Sequence, residues 1–149
     1  MKKVKIKAKH RDAGRTVSSL GKFPRTLPAL ARAQRVTERA SQFGFDWPSP
    51  EPVWGKIEEE LSELKTAVAS GDEGRVKEEM GDLLFSLVNL SRFLKLEAEE
   101  ALSQGVNRFL KRFHHIEKTF DERGKTLTEA SLEEMDALWD EAKKMERTK

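Results

Sequence analysis

The chain reads as an all-α protein, a bundle of four to five helices. Three observations predict this. Apolar residues recur at helical spacing through most of the chain. Helix start and stop signals fall between those segments. The one alternating stretch, Lys3-Val-Lys-Ile-Lys-Ala-Lys9, has no partner strand anywhere in the sequence and reads as coil.

The first helix is expected from Leu27 to about Phe43, with Pro28 in its first turn. Gly44-Phe45-Asp46-Trp47-Pro48 is a connecting loop. Ser49 then reads as an N-cap, with Pro50 at the first helical position. The second helix runs to about Ser70, where Gly71 supplies a stop. Val53, Ile57, Leu61, Leu64 and Val68 form its apolar stripe.

Asp72 reads as the N-cap of a third helix reaching about Lys95. Its apolar arc is broad: Val76, Met80, Leu83, Leu84, Leu87, Val88, Leu90 and Leu94. Such an arc predicts a central helix, and Glu79, Asp82, Ser86 and Asn89 form a narrower polar stripe beside it. A fourth helix spans about Ala98 to Arg123 and ends at Gly124. Ser131-x-x-Glu134 reads as a capping box that opens a fifth, to about Lys144.

Composition bounds the function. With 149 residues, 37% apolar and 36% charged, a single domain is expected, with a core thin enough to favour an oligomer. There is no cysteine, which excludes disulfides, thiol nucleophiles and zinc-thiolate sites. No apolar run approaches the ~20 residues that span a bilayer. The N-terminus lacks the apolar stretch of a secretory signal, and a cytoplasmic location follows by default.

The net charge of +2 is unevenly placed. Residues 1–25 hold nine Lys/Arg against Asp12 alone, a local +8 that leaves −6 on the rest. Residues 1–23 read as a basic, disordered leader, and residues 24–149 as the folded domain. The leader carries no nucleic-acid motif, so nucleic acid is not an expected partner.

The acids carry the chemistry. Glu59, Glu60 and Glu63 lie on the second helix, and Glu79 and Asp82 on the third. Spacings of three and four place each set on one helix face. A Glu-rich amphipathic helix is usually just a solvated face. Glu79 and Asp82 differ, because acids beside so broad an apolar arc are partly buried and need a partner. Facing helices would gather five carboxylates, which repel one another unless a cation joins them. Oxygen-only ligands favour Mg²⁺, with Mn²⁺ able to substitute, and such an ion takes further ligands from water and substrate phosphates.

Other residues have weaker claims. Asn89 lies seven residues beyond Asp82 on the same stripe. Asn107, Arg108, Lys111 and Arg112 form a basic, amide-bearing segment, either a wet helix face or a phosphate contact. Trp47 could wall a base pocket, whereas Trp54 and Trp139 read as core or interface. His114 and His115 are adjacent and point about 100° apart, so they make no helical metal pair. There is no glycine-rich phosphate loop and no Ser-His-Asp or Cys-His arrangement.

Lys56-Ile-Glu-Glu-Glu-Leu-Ser-Glu-Leu64, followed by Glu78-Glu-Met-Gly-Asp-Leu-Leu-Phe85, resembles the MazG family of nucleoside triphosphate pyrophosphohydrolases. Leu27-Pro-Ala-Leu30, Arg32-Ala-Gln34 and Gly44-Phe-Asp-Trp47 resemble the lead-in of its C-terminal catalytic domain. Leu87-Val-Asn-Leu-Ser-Arg92, Asn107-Arg-Phe109 and Lys111-Arg-Phe113 continue the likeness, and Gly124, Met135, Trp139 and Lys143 resemble its end. The likeness covers about residues 24 to 146.

The resemblance implies a tight homodimer that hydrolyses a nucleoside triphosphate to monophosphate and pyrophosphate with Mg²⁺. The family motif, EExxE then ExxD, maps onto Glu59, Glu60, Glu63, Glu79 and Asp82 as metal ligands. Glu59 or Glu60 would orient or deprotonate the attacking water. Asn89, Asn107, Arg108 and Arg112 would contact the nucleotide, with Lys111 beside them. Nucleotide-pool housecleaning is the implied role. The alternatives are a narrow-substrate relative acting on one pyrimidine dNTP or phosphoribosyl-ATP, and a helical dimer that binds nucleotide or a partner without turnover. Full-length bacterial MazG commonly carries two such domains, and here a basic leader stands in place of the first.

Overall fold

The computed structural model describes residues 18–148, so most of the basic leader lies outside it. The described residues form α1 (Ala29–Gln42), α2 (Glu51–Ser70), α3 (Glu73–Phe93), α4 (Ala98–Glu122), a 3₁₀ turn (Leu127–Glu129) and α5 (Leu132–Arg147). There is no strand among them. None of these helices is long and apolar enough to cross a membrane. The chain divides into two compact units after Ala98.

In the first unit, α3 packs against both α2 and α1. Only Gly71 and Asp72 separate α2 from α3, so the two form an αα-hairpin. Gly71 closes α2 in the left-handed region, at φ 72°. The Asp72 side chain accepts the Arg75 amide at 3.2 Å and opens α3. Both signals were readable in sequence because they are local.

Register follows from that turn. Glu60 lies 11 residues before Gly71, and Asp82 lies 10 after Asp72. Glu63 lies 8 before, and Glu79 lies 7 after. Two acids on each arm, at matched distances from the turn, therefore face one another across the hairpin.

Several boundaries shift from expectation. Pro28 caps α1 from extended backbone instead of entering its first turn. The N-cap of α2 is Pro50, with Pro52 inside the first turn; Ser49 instead hydrogen-bonds the Glu51 carboxylate. Its hydroxyl holds the Glu51 carboxyl below the usual value, helped by the backbone amide of Glu51. α3 ends at Phe93, where Lys95 turns the chain at φ 58° and the Leu96 amide reaches back to Ser91 O at 2.9 Å. α5 runs past Lys144 to Arg147.

Burial corrects two readings. The buried face of α2 is Val53, Glu60, Leu64 and Ala67, while Leu61 and Val68 are exposed. The stripe is thus rotated toward the acids, and Glu60 sits within it. On α3, Val88, Leu90 and Ser86 are buried, whereas Met80, Leu84, Phe85, Leu87 and Leu94 stay exposed. The broad arc does not make α3 fully central, because α1 and α2 cover only part of it. A helical wheel gives the width of an apolar arc and not what covers it.

The second unit has its own core of Ile116, Phe120 and Leu138, flanked by Phe113, Leu127, Met135 and Trp139. Full burial of an aromatic such as Phe120 contributes about 1.5–3 kcal/mol. Two capping boxes in succession order the link from α4. Thr126 pairs with Glu129, and Ser131 with Glu134.

Candidate functional site

The hairpin register brings carboxylates from both arms together. Glu60, Glu79 and Asp82 each offer an oxygen within 4.8 Å of the others. Glu59, Glu60 and Glu63 form a second such group, so Glu60 belongs to both. Glu58 points away and is exposed, as its phase on the helix requires. Two unit charges 4 Å apart repel by about 4 kcal/mol at an effective dielectric near 20, so this grouping is costly without cations.

Glu60 is the pivot. Its side chain is only 5% exposed, and its Oε2 is buried with no hydrogen-bond partner among the described residues. Its Oε1 is met by the Lys56 ammonium, which also donates to Glu59 Oε1 at 3.2 Å. These two hydrogen bonds, Glu60 first and Glu59 second, hold the Lys56 pKa above lysine's ordinary value. On the other arm, Arg75 stands one turn before Glu79 on α3, 3.7 Å from its carboxylate, and the Glu79 side chain is 12% exposed. Burial pushes the Glu63 carboxyl above its usual value, and the negative charges of Glu79, Glu60 and Glu59 push it further.

The donor set fits a hard divalent ion. It is all oxygen, it comes from two rigid helices, and it includes a buried orphan acceptor in Glu60 Oε2. Most buried polar groups are paired, and among the described residues only the side-chain atoms Arg92 Nε and His115 Nε2 share this condition.

The acids open into a cavity of about 670 Å³ whose lining includes Lys56, Glu60 and Asp82. That volume falls within the range of roughly 300–1,000 Å³ typical of small-molecule sites. Phe45, Trp47 and Phe85 supply aromatic wall, with Val36 and Ala40 behind them. Thr37, Ser86 and Asn89 supply polar groups. The Ser86 hydroxyl donates to Asp82 O at 2.9 Å, and the Thr37 hydroxyl to Gln34 O, also at 2.9 Å.

Arg92 orders the cavity's far side. It donates to both oxygens of Asp46, one bond measuring 2.8 Å, and to Asn89 Oδ1 at 3.3 Å. The Arg92 guanidinium, through these hydrogen bonds, lowers the Asp46 carboxyl below its usual value against the opposing effect of burial. Because arginine only donates, Asn89 must present its oxygen to Arg92.

The sequence-predicted residues sort as follows. The five acids gather on the hairpin, and Trp47 and Asn89 line the adjoining cavity. Asn107, Arg108 and Lys111 are exposed on α4 in the second unit. Arg112 is engaged there: it donates to Glu146 Oε2 at 2.9 Å and lies over the Trp139 ring, 5.4 Å from its centroid. Lys56, Arg92 and Asp46, which the sequence marks only within the stretches that carry the family likeness, also belong to the site. Lys56 had a local signal, being three and four residues before Glu59 and Glu60. The Arg92–Asp46 pair spans 46 residues and had none.

An all-helical hairpin with a two-helix carboxylate centre beside an aromatic cavity defines a class of helical proteins whose acids could hold a divalent ion next to a small-molecule cavity. Residues 49–119 match the model of the MazG nucleotide pyrophosphohydrolase domain, and the chain belongs to the MazG family. It is 46% identical over 136 residues to the Thermotoga maritima protein named nucleoside triphosphate pyrophosphohydrolase/pyrophosphatase MazG, covering 91% of this chain and 52% of that one. It is 40% identical over 143 residues to the Escherichia coli (strain K12) nucleoside triphosphate pyrophosphohydrolase, covering 95% and 54%. An uncharacterized Bacillus subtilis protein, YabN, is 45% identical over 131 residues, covering 87% of this chain and 27% of its own length. The chain spans about half the length of the first two relatives.

Proposed function

We propose that this protein is a divalent-metal-dependent nucleoside triphosphate pyrophosphohydrolase, converting NTP or dNTP and water to the monophosphate and pyrophosphate. The carboxylate cluster of Glu60, Glu79 and Asp82, opening into an aromatic-walled cavity, carries this reading. Two relatives named as nucleoside triphosphate pyrophosphohydrolases support it.

Glu59, Glu60, Glu63, Glu79 and Asp82 would hold Mg²⁺, or Mn²⁺ in its place. The bound ion would supply positive charge for the triphosphate and lower the pKa of a water ligand. Glu59 or Glu60 would orient the attacking water and take its proton. Trp47, with Phe45 and Phe85, would stack on the base, and Asn89 would present its amide N–H to a base acceptor because its oxygen is turned to Arg92. For Asn107, Arg108, Lys111 and Arg112 we propose contact with the nucleotide and its phosphates, which for Arg112 means exchanging Glu146 for phosphate.

Residues 24–149 would form one catalytic domain that works as a homodimer. Half-exposed apolar stripes on α2 (Trp54, Leu61, Val68) and α3 (Met80, Leu84, Leu87) suit a second copy. Its setting would be the cytoplasm, where nucleotide pools are kept, and its role their housecleaning.

The test is a product assay. The protein is incubated with a panel of NTPs and dNTPs, with Mg²⁺ and with EDTA, and the products are resolved by ion exchange. Metal-dependent monophosphate plus pyrophosphate is expected. Diphosphate plus phosphate, or no product with any nucleotide, would overturn the proposal.

A further inference from the structure

Lys56 pairs along its own helix with Glu59 and with the buried Glu60. It pairs with Glu60 one turn later on α2, the lysine being N-terminal to the acid. That order is the less favourable one for an isolated helix, because it sets the charges against the helix dipole. The pair is also asymmetric: the Lys56 side chain is 35% exposed and Glu60 only 5%. A flexible ammonium thus reaches inward from the rim to a fixed, buried acid. It satisfies Oε1 and leaves the buried Oε2 unpartnered, on a residue that also groups with Glu79 and Asp82. Glu59, the second partner of Lys56, is 55% exposed and can hold the ammonium near the surface.

We infer that Lys56 is a built-in counter-cation of the cluster, seated on Glu60 in the metal-free protein and displaced from it when a divalent ion binds. The inference rests on the metal-site reading above and adds a competitor to it. Without a cation, three acids within 4.8 Å of one another would push the two arms of the hairpin apart. Lys56 supplies part of the missing charge from within the chain. A divalent ion held by Glu60, Glu79 and Asp82 would supply more charge than the ammonium, which would give way. Its flexible stem, rooted at the exposed rim of α2, keeps it close enough to return when the ion leaves. Metal affinity is thereby set lower than the carboxylates alone would give, since each binding event must break the Lys56–Glu60 pair.

The experiment titrates Mn²⁺ into the full 149-residue chain, wild type, Lys56→Met and Lys56→Arg, following free Mn²⁺ by electron paramagnetic resonance. Melting temperatures are read with and without saturating Mn²⁺. Lys56→Met is expected to bind Mn²⁺ about tenfold more tightly, a typical size for coupling between two bound groups. Its metal-free melting temperature should fall, while its Mn²⁺-saturated value matches wild type. Lys56→Arg should stay near wild type. Unchanged affinity and stability in Lys56→Met would reduce Lys56 to a surface pair and overturn the inference. Weaker Mn²⁺ binding in Lys56→Met would also overturn it, since Lys56 would then support the loaded site. Absence of Mn²⁺ binding by wild type would refute the metal site itself, a failure visible before any variant is made. Lys56→Gln, which keeps a polar side chain without the charge, gives the same reading should Lys56→Met fail to fold.

Discussion

Arg92, in the last turn of α3, clasps Asp46 in the loop before α2 through two N–H···O bonds. A bidentate pair of this kind fixes direction as well as distance. The loop it fixes carries Phe45 and Trp47 into the cavity, although Phe45 is 84% exposed and has little packing of its own to hold it. Asp46 also accepts the Trp47 amide at 2.9 Å, which turns the indole's backbone toward the same wall.

Asp46→Asn therefore should loosen the loop without unfolding the hairpin. Discounted for solvent screening, the lost pair is worth about 1 kcal/mol. The Asp46 carboxyl is lowered in the folded state, so its contribution is present above the unfolded carboxylate pKa. It fades as pH falls through the folded value. Thermal melts of wild type and Asp46→Asn should differ near neutrality and converge in acid, and KM should rise more than kcat falls.

Glu60→Gln and Asp82→Asn should lower turnover by about 10²–10⁴-fold while circular dichroism shows the same helix content. Glu60→Gln removes a charge that is buried and shared by both acid groups, so it should be the more severe. Near-normal pyrophosphate release from both variants would refute the site.

Chelation should abolish turnover, and Mg²⁺ should restore it. Metal should also raise the melting temperature in proportion to its affinity, because it binds the folded hairpin and not the separated acids. A melting curve that ignores Mg²⁺ and Mn²⁺ alike would contradict the metal site.

Glu63→Gln should stabilise the metal-free protein. Its carboxyl is raised in the folded state, so ionising it costs more there than in the unfolded chain, and stability falls as pH rises through the carboxylate range. The gain from Glu63→Gln should be seen near neutrality, vanish in acid, and reverse when Mn²⁺ is added.

Ser131→Ala should cost about 1 kcal/mol in a thermal melt by removing the acceptor of the Glu134 amide, held at 3.2 Å. Glu134 returns a bond to the Ser131 amide, and that bond, with Lys125 next, lowers its carboxyl below the usual value. The share of the box that Glu134 contributes is thus fully present at neutral pH and is lost as acid protonates its carboxylate, while the Ser131 hydroxyl's share remains.

What could be read from sequence was local. The caps at Asp72 and Ser131 and the left-handed stops at Gly71 and Gly124 each involve residues within one turn, and all four stand where their chemistry put them. The meeting of the acids was legible because a two-residue turn leaves the hairpin little choice of register. The burial of Glu60 was not, since a rotation of the α2 stripe by part of a turn exchanges Leu61 for Glu60 at the interface. Nor was the Arg92–Asp46 clasp, whose partners are distant in sequence and individually ordinary.

Gln34 of α1 closes its amide on the corner after α3. Its Nε2 donates to Leu96 O at 2.9 Å, and its Oε1 accepts the Ala98 amide at 2.8 Å. A side chain thus plays the part of a neighbouring strand, offering one donor and one acceptor in register with the main chain. Opening amides of a helix ordinarily trade their hydrogens with water first, having no carbonyl behind them. In heavy water, then, the Ala98 amide should keep its proton while the amides following it exchange, and a Gln34→Leu chain of nearly equal bulk should release it.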